Sequence, residues 1–289
     1  MNILTFDIEE WFHILDNPFT ADETKWNRFE SRIHNNVDNL LDLLSSKNKK
    51  ATFFILGWIA KKYPEIVKKI DALGYEIGTH SNNHRLLYQQ SRQEIVNDLR
   101  SSINRLEDIT GKSVYAYRAP GFSIMKENTW VFEILIEHEI QIDCSIFPTT
   151  RAHGGFKEFS LDKPCLIEIN GQTIKEFPLN LFHFGILNIV FSGGGYFRVL
   201  PYFLIKDLIK RSKYVMTYFH PRDFDPQQPM IKELSLNRKL KSYYGLSNAL
   251  QKLEKLVDDF EFLDLNSADK LIDWNTTKVL KLDDNFFIK

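Results

Sequence analysis

The sequence predicts an α/β fold in which parallel strands alternate with helices that pack outside them. Short runs rich in β-branched and aromatic residues recur along the chain. Amphipathic stretches separate these runs, and such alternation favours a parallel sheet, as either a barrel or an open sheet. One segment departs from this plan. In residues 165–178, two short strands flank Asn170-Gly171, a turn signal that predicts an inserted β-hairpin.

Each remaining element follows from a local pattern. Most strand candidates end at a glycine, a proline or a titratable residue. The helix candidates repeat apolar residues at intervals of three and four positions, and Gly111 ends the second of them. The predicted strands are 3–6, 51–57, 75–81, 113–120, 140–148, 213–221 and 260–265, and the predicted helices are 32–47, 92–110, 127–139 and 244–259.

Length and composition fit one soluble catalytic domain. The chain has 289 residues, and we predict a single domain over 1–289, with a core of about 3–222 and a helical and C-terminal extension over 223–289. The formal charge of −1 gives no electrostatic case for a nucleic-acid partner. Cys144 and Cys165 form neither a disulfide framework nor a CxxC site, so we expect two buried free thiols.

The termini and the longest apolar run bear on localisation. Met1 leads directly into a strand-like run without a secretory pattern, so we expect a cytoplasmic protein. The apolar run 179–191 is too short to span a bilayer; we interpret it as core, with membrane or partner contact as the alternative. No oligomeric state is predicted. The tail over 270–289 contains apolar side chains expected to close the barrel bottom or contact another subunit: Trp274, Phe286 and Phe287.

Titratable side chains gather where the predicted strands end, which is how α/β barrels build active sites. Within HSNNH, His80 and His84 are four positions apart, and on one side of a helical turn they could bind one metal ion. The alternative is a helix N-terminus capped by Ser81 or Asn82, which leaves both histidines unexplained. The strand ends carry Asp7 and Glu9, His80 and His84, Arg118, Asp143, and His220.

Five segments in order, FDIEE, HSNNH, RAPGF, DCSIFP and YFHP, resemble the motifs of the polysaccharide deacetylase family (NodB-like, carbohydrate esterase family four). The resemblance covers about residues 3–222 and is most specific at HSNNH. The segments GGGYFR (193–198) and FHPRDFDP (219–226) resemble a bacterial subgroup associated with making surface polysaccharides. The resemblance implies a distorted, incomplete (β/α) barrel. It also implies a hydrolase that removes N- or O-acetyl groups from sugars with a divalent metal.

The resemblance also implies roles for individual residues. His80 and His84 would ligate the metal, and Asp7 would be the general base for the attacking water. Arg118 would hold Asp7 ionised and oriented.

The same resemblance makes His220 the general acid that protonates the departing group. Asp143 would hydrogen-bond His220, fix its tautomer and raise its pKa. Arg222 and Asp223 follow directly and are further candidates to orient His220.

The third metal ligand is where this sequence departs from the family. The common first motif has two adjacent aspartates, whereas Ile8 follows Asp7 here. Because side chains alternate along a strand, Asp7 and Glu9 point to one side and Glu10 to the other. We therefore predict Glu9 as the third ligand, with Glu10 as the main alternative.

Substrate contacts are predicted from the motifs and the residues beside them. Gly121 would offer a backbone N–H to the oxyanion, and Tyr218 stands where the family usually has leucine. Tyr196 and Arg198, in a glycine-rich loop, are candidates to stack on or hydrogen-bond a sugar, with a plain turn as the alternative. Trp11 and Phe12 are expected to wall the site. A small apolar slot for the acetyl methyl would be lined by Phe122, Ser145, Phe147 and Pro148.

We therefore predict a metal-dependent carbohydrate deacetylase, with N-acetyl favoured over O-acetyl substrates. Zn²⁺ is the favoured metal, with Co²⁺, Ni²⁺, Fe²⁺ or Mn²⁺ as alternatives. The substrate would be a nucleotide-linked, lipid-linked or oligosaccharide sugar of surface-polysaccharide synthesis, and membrane contact is not required. Two other functions remain open: hydrolysis of another small amide (formamide, ureide or imide), and a non-catalytic carbohydrate-binding scaffold. An iron oxygenase is disfavoured because nothing suggests its fold.

Overall fold

The residues that the structure describes form twelve short strands and ten α-helices. The structure, a computed structural model, describes residues 1–15, 17–151, 153–184 and 187–282. The strands are β1 (Asn2–Ile3), β2 (Thr5–Ile8), β3 (Thr52–Ile55), β4 (Glu76–Thr79), β5 (Ala116–Tyr117), β6 (Ile142–Asp143), β7 (Cys165–Ile169), β8 (Gln172–Glu176), β9 (Phe182–Phe184), β10 (Leu187–Ile189), β11 (Val215–Met216) and β12 (Val279–Lys281). The α-helices are α1 (Ile33–Ser46), α2 (Gly57–Lys62), α3 (Pro64–Ala72), α4 (Arg92–Thr110), α5 (Val131–Glu137), α6 (Gly194–Val199), α7 (Tyr202–Arg211), α8 (Leu236–Tyr243), α9 (Ala249–Asp259) and α10 (Leu265–Asp269).

The main sheet curves into an incomplete barrel, as predicted. Its eight strands run in the order β12-β7-β8-β6-β5-β4-β3-β2, and β2 to β6 are parallel to one another. Beyond β2 the sheet continues through the segment after β11, because the Asp7 N–H donates to the Phe219 carbonyl at 2.7 Å. Where the two ends approach, the Met216 N–H donates to Asn180 Oδ1 at 3.0 Å. A side chain, rather than a backbone ladder, bridges this gap.

The predicted hairpin is present and takes part in the barrel. Strands β7 and β8 pair antiparallel across Asn170 and Gly171, whose φ angles are 50° and 77°. A two-residue hairpin turn with positive φ at both positions matches the right-handed twist of the strands it joins. Strand β8 then pairs parallel with β6. The insertion therefore supplies the strand that follows β6 in the barrel.

Alternation along the strands separates two buried layers. In β2, Phe6 and Ile8 pack in the larger hydrophobic cluster, which includes the helices outside the sheet. Thr5 and Asp7 lie on the other face, where both contact Arg118. The strand is buried on both faces, as expected for a parallel sheet covered by helices. This alternation turns the Asp7 carboxylate into the barrel.

Two predicted elements differ from the structure. Residues 260–265 do not form a strand; Leu263 makes a single bridge with Ile3, and α10 begins at Leu265. The stretch over 57–72 forms two helices, α2 and α3, where the sequence indicates only that a helix ends at Gly74. Pro64 opens α3 and divides the stretch into two short helices.

The cysteine prediction is confirmed, because Cys144 and Cys165 are free and buried. In the tail, β12 pairs with β7, and the ring centroid of Trp274 lies 5.6 Å from that of Phe177. Phe286 and Phe287 lie outside the described residues. Over the described ranges, the helices lack the combination of length and apolar character that crossing a membrane requires.

Candidate active site

The predicted catalytic and metal-binding side chains converge on one cavity of about 410 Å³. Asp7 belongs to β2, and the others follow β2, β4 and β11 at the carboxyl ends of these strands. The strand arrangement therefore brings together side chains that are more than two hundred residues apart in sequence, such as Asp7 and His220. Those that line the cavity are Asp7, Glu9, His80, His84 and His220.

Arg118 is fully buried and holds Asp7. Its Nη1 donates to Asp7 Oδ1 at 2.8 Å and to Thr5 Oγ1 at 2.7 Å. Its Nε donates to the Cys144 carbonyl at 3.3 Å. The guanidinium carbon lies 4.3 Å from the centroid of the Phe54 ring, whose negative face favours the cation. These contacts give the Asp7 carboxylate one orientation at the cavity floor.

Glu9, His80 and His84 form a buried group able to hold a metal ion, with one candidate ligand atom from each lying within 4.8 Å of the others. His80 Nδ1 lies 2.7 Å from the Arg118 carbonyl, to which it can only donate, so Nε2 carries the lone pair. Burial, the largest influence, lowers the pKa of His80 to about 4, which keeps the ring neutral as metal ligation requires.

The third member, Glu9, carries a buried oxygen suited to a cation. His84 Nε2 lies 2.7 Å from Glu9 Oε2, yet within the described structure that oxygen has no hydrogen bond of acceptable geometry. Burial opposes the ionised form, but the histidines, His84 foremost, more than offset it and hold the pKa of Glu9 well below its ordinary value. An ionised, incompletely satisfied carboxylate beside two imidazoles is a donor set that suits Zn²⁺.

The loop carrying the two histidines is not the helical turn that the sequence predicted. Ser81 and His84 have φ angles of 66° and 55°, which a right-handed helix excludes. Asp98 on α4 holds the loop, because its two oxygens accept from the Asn82 N–H at 2.7 Å and the Asn83 N–H at 3.1 Å. A left-handed backbone, rather than helical spacing, brings the two rings together.

Glu10 makes contacts different from those of Glu9. Its Oε1 accepts from Ser31 Oγ at 2.6 Å and from the Arg32 and Ile33 N–H groups at 2.9 and 3.1 Å. These donors lie at the start of α1, where backbone N–H groups have no partner within the helix. Glu10 thus anchors α1 to the end of β2, while Glu9 faces the cavity.

His220 is held by Asp223. The imidazole Nδ1 lies 2.9 Å from Asp223 Oδ2, and Nε2 lies 3.8 Å from both Asp7 Oδ2 and Glu9 Oε1. Asp223 is supported in turn by Arg198, whose Nε is 3.1 Å from Oδ1. Burial disfavours the charged ring, but the carboxylates, Glu9 and Asp223 foremost, outweigh it and raise the pKa of His220. Because Asp223 holds Nδ1, the ring faces the cavity through Nε2.

Asp143 does not make the expected hydrogen bond to His220. It accepts instead from Ser145, at 2.5 Å from Oγ and 3.1 Å from the N–H. It also hydrogen-bonds Glu176. Burial, together with the neighbouring Asp143 carboxyl, raises the pKa of Glu176 well above its ordinary value. Asp143 is thus part of a carboxyl pair inside the barrel, and the carboxylate beside His220 is Asp223.

The predicted substrate contacts divide into two groups. Gly121 and Phe122 line the cavity, with φ angles of 61° and 54°. The positive φ favours glycine at position 121, and a Cβ there would also lie 2.7 Å from Leu15 Cδ1, so that side chain would have to shift. Ser145 and Pro148 are buried away from the cavity lining.

Trp11, Tyr196 and Arg198 do not line the cavity either. Trp11 is buried with Phe12 in an aromatic cluster, where its Nε1 donates to a backbone carbonyl. Tyr196 is half exposed on α6. Arg198 is buried, and it donates to the carbonyls of Lys241, Ser242 and Tyr244 as well as contacting Asp223.

Several cavity-lining residues were missed by the sequence reasoning, among them His13 and Arg151. His13 Nδ1 accepts from the Glu10 N–H at 3.1 Å. Burial lowers the pKa of His13, so the neutral ring carries its proton on Nε2, which has no hydrogen-bond partner among the described residues. The sequence did offer one signal for this contact, because His13 lies three positions after Glu10, the spacing of a capping box. Arg151 also lines the cavity, and it lies in no recognisable motif.

The fold and this group of ligands define an α/β barrel protein with a candidate metal site at the carboxyl ends of its strands. Residues 18–135 match a family model described as Polysaccharide deacetylase, and residues 144–270 match one described as Domain of unknown function (DUF3473). Residues 18–135 of this chain are thus similar to the polysaccharide deacetylase family.

Individual relatives agree with this assignment. A peptidoglycan-N-acetylglucosamine deacetylase of Bacillus cereus is 35% identical over 81 residues, which are 28% of this chain and 30% of the relative. The match thus spans less than a third of that relative. A Mycobacterium smegmatis structure provisionally described as a polysaccharide deacetylase has a TM-score of 0.63 at 18% identity, covering 96% of this chain and 91% of its own. An allantoinase structure has a TM-score of 0.59 at 12% identity, covering 93% and 89%. At such identities, the two structures establish the shared fold.

Proposed function

We propose that the protein is a metal-dependent deacetylase that hydrolyses an N-acetyl group on a sugar of surface-polysaccharide synthesis, acting in the cytoplasm. One observation carries the proposal. The buried group of Glu9, His80 and His84 opens into the cavity where Asp7 and His220 also lie. A hydrolase needs a base and an acid on either side of the scissile bond, and a hydrolytic metal needs ligands that leave positions open.

Glu9, His80 and His84 would hold the metal, and Zn²⁺ fits two imidazoles and one carboxylate best. The buried Oε2 of Glu9, which has no hydrogen bond in the described structure, is the feature that a cation would satisfy. When bound, such an ion polarises an acyl oxygen and makes water more acidic.

The remaining chemistry falls to the side chains. Asp7, fixed by Arg118, accepts the proton of the attacking water through the oxygen that Arg118 leaves free. His220 donates a proton from Nε2 to the departing sugar nitrogen, because Asp223 holds Nδ1. The N–H of Gly121 is available to the developing oxyanion at the cavity wall.

The test of this proposal is acetate release by protein reconstituted with Zn²⁺ or Co²⁺. We expect turnover of an N-acetylated sugar and one ion bound per chain. Glu9→Gln should lower metal affinity by about 10–100-fold or more, since it removes the charged ligand. Glu10→Gln is the matched control and should keep its ion, because Glu10 faces α1. Equal ion loss in both variants would contradict the assignment of Glu9, and bound ion without acetate release would favour a non-catalytic scaffold.

Asp223→Asn should lower kcat by about 10-fold while leaving the ion in place. The raised pKa of His220 depends on nearby carboxylates, so a working acid is present below that pKa and is lost as pH rises through it. Removing the Asp223 charge lowers this pKa, and the alkaline limb of the pH–rate profile should therefore move to lower pH. A profile that keeps its shape would mean that Asp223 acts on folding alone.

A further inference from the structure

Four cationic side chains line the cavity that contains the candidate metal site. Arg151, Arg222, Arg238 and Lys241 all line it, whereas its described acidic lining residues are Asp7 and Glu9. Both acids are engaged at the floor, by Arg118 and His84 respectively. Like charges brought into one cavity repel each other, and an anionic ligand removes that cost.

Arg151 is held in a way that favours ligand binding. Its guanidinium carbon lies 4.8 Å from the ring centroid of Phe122, 5.0 Å from that of Phe147 and 5.4 Å from that of Tyr218. Stacking on aromatic faces leaves the N–H groups at the edge of a guanidinium free for an oxyanion. The Nη1 of Arg151 is buried and has no hydrogen-bond partner within the described ranges. Two of the rings that contact Arg151, Phe122 and Phe147, were expected to line a slot for the acetyl methyl.

The loop that carries Arg151 is hydrogen-bonded to the backbone of Phe122. The Arg151 N–H donates to the Gly154 carbonyl at 3.2 Å, and the Gly155 N–H donates to the Phe122 carbonyl at 3.0 Å. Gly154 is needed for this approach, since a Cβ there would lie 2.2 Å from the Phe122 oxygen. The loop therefore presents Arg151 from a preorganised position, which lowers the entropy cost of binding.

Arg222 is the second cation of this group. It is 9% exposed and forms no salt bridge within the described residues, although its charge acts on nearby Asp223. It directly follows the His220-Pro221 pair, so its side chain reaches the cavity from beside the proposed acid. Asp223 already pairs with His220 and Arg198, so an anionic ligand would give Arg222 a direct partner of its own.

We infer that the substrate carries an oxyanion, a phosphate or a carboxylate, which Arg151 and Arg222 bind while the acetyl group lies at the candidate metal site. This substrate class rests on the proposed deacetylase function. Arginine suits both anions because its planar fork can make two parallel hydrogen bonds to either. A neutral N-acetyl sugar would supply no anion to either guanidinium group.

Three probes separate the outcomes: N-acetylglucosamine, its 1-phosphate, and N-acetylmuramic acid, whose lactyl group carries a carboxylate. We expect kcat/KM for at least one anionic probe to exceed that for the neutral sugar by about 10-fold or more. A preference for the 1-phosphate identifies a phosphate-linked substrate, and a preference for the carboxylate probe identifies an acidic sugar. No preference for either anion would overturn the inference while leaving deacetylation intact.

Variants then test the two arginines. Arg151→Gln and Arg222→Gln should each reduce the anionic-to-neutral ratio of kcat/KM by about 10-fold. Arg211→Gln, on the exposed side of α7 and paired with Asp207, is the matched control and should leave this ratio unchanged. Arg151→Lys keeps charge and volume, and it should restore part of the preference if the glutamine variant folds poorly. Ratios equal to wild type in both glutamine variants would refute the assignment.

A binding measurement makes this test independent of turnover. The preferred anionic probe is titrated by calorimetry into Asp7→Asn protein, with and without the Arg151→Gln change. Binding that weakens by about 10-fold on loss of Arg151 supports the oxyanion site even if no acetate is ever released. Acetate release without this dependence supports the hydrolase and removes the oxyanion site.

Discussion

Asp7→Asn is expected to reduce acetate release by about 10²–10⁴-fold while the protein stays folded and keeps its metal ion. The amide oxygen of asparagine can still accept from Arg118 Nη1, which donates to Asp7 Oδ1 at 2.8 Å. The amide cannot take a proton from water. The change therefore removes the base and leaves the geometry.

The matched control for this change is Asp207→Asn. Asp207 is exposed on α7 and pairs with Arg211 one helical turn away, and such surface pairs contribute little to stability. Its variant should have wild-type activity. Metal content and thermal unfolding are measured for both proteins. If Asp7→Asn retains more than a tenth of the activity with a full complement of metal, another group is the base.

Arg118→Met should lower the free energy of unfolding by about 3–5 kcal/mol, because it leaves the Asp7 carboxylate buried without its cation. Arg118 is 0% exposed and Asp7 is 2% exposed. Methionine fills part of the same volume against Phe54 but offers no donor to Asp7, Thr5 or Cys144. Urea unfolding at neutral pH measures the change.

A double variant separates the charge from the packing. If the loss comes from the uncompensated carboxylate, Arg118→Met with Asp7→Asn should recover a substantial part of the stability, because residues in contact show non-additive effects. Arg211→Met, at an exposed site, should change the unfolding free energy by less than about 0.5 kcal/mol. Additive losses in the double variant would show that the buried pair is not the source.

The sequence predicted most of the barrel because strand ends carry strong local signals. Alternation of buried strands and amphipathic helices, the Asn170-Gly171 turn and the free cysteines were all readable from residue type and spacing. The prediction of a strand over 260–265 was wrong. Its composition is typical of a strand, but in the fold this segment makes only one β-bridge, from Leu263 to Ile3. Gly74 marked the end of α3, but α2 was missed because its six residues are too few to display a helical period.

At the candidate site, the sequence indicated which residues lie at strand ends, but it did not indicate which side chains they contact. Asp143 and Asp223 both lie near a strand end, and only the three-dimensional path shows that Asp223 reaches His220. Arg198 carries a charge that suggested a sugar contact, yet it binds carbonyls and Asp223. The alternation of side chains along β2 did indicate that Glu9 and Glu10 point to opposite sides, because that argument depends on backbone geometry alone.

Arg118 contacts both Asp7 and His80, the first through its side chain and the second through its main chain. Its side chain holds Asp7, whereas its main-chain carbonyl lies 2.7 Å from His80 Nδ1. Every amino acid supplies a carbonyl, but only arginine supplies a guanidinium. Under the proposed function, a substitution at position 118 therefore removes the partner of the base but keeps the carbonyl that orients a metal ligand.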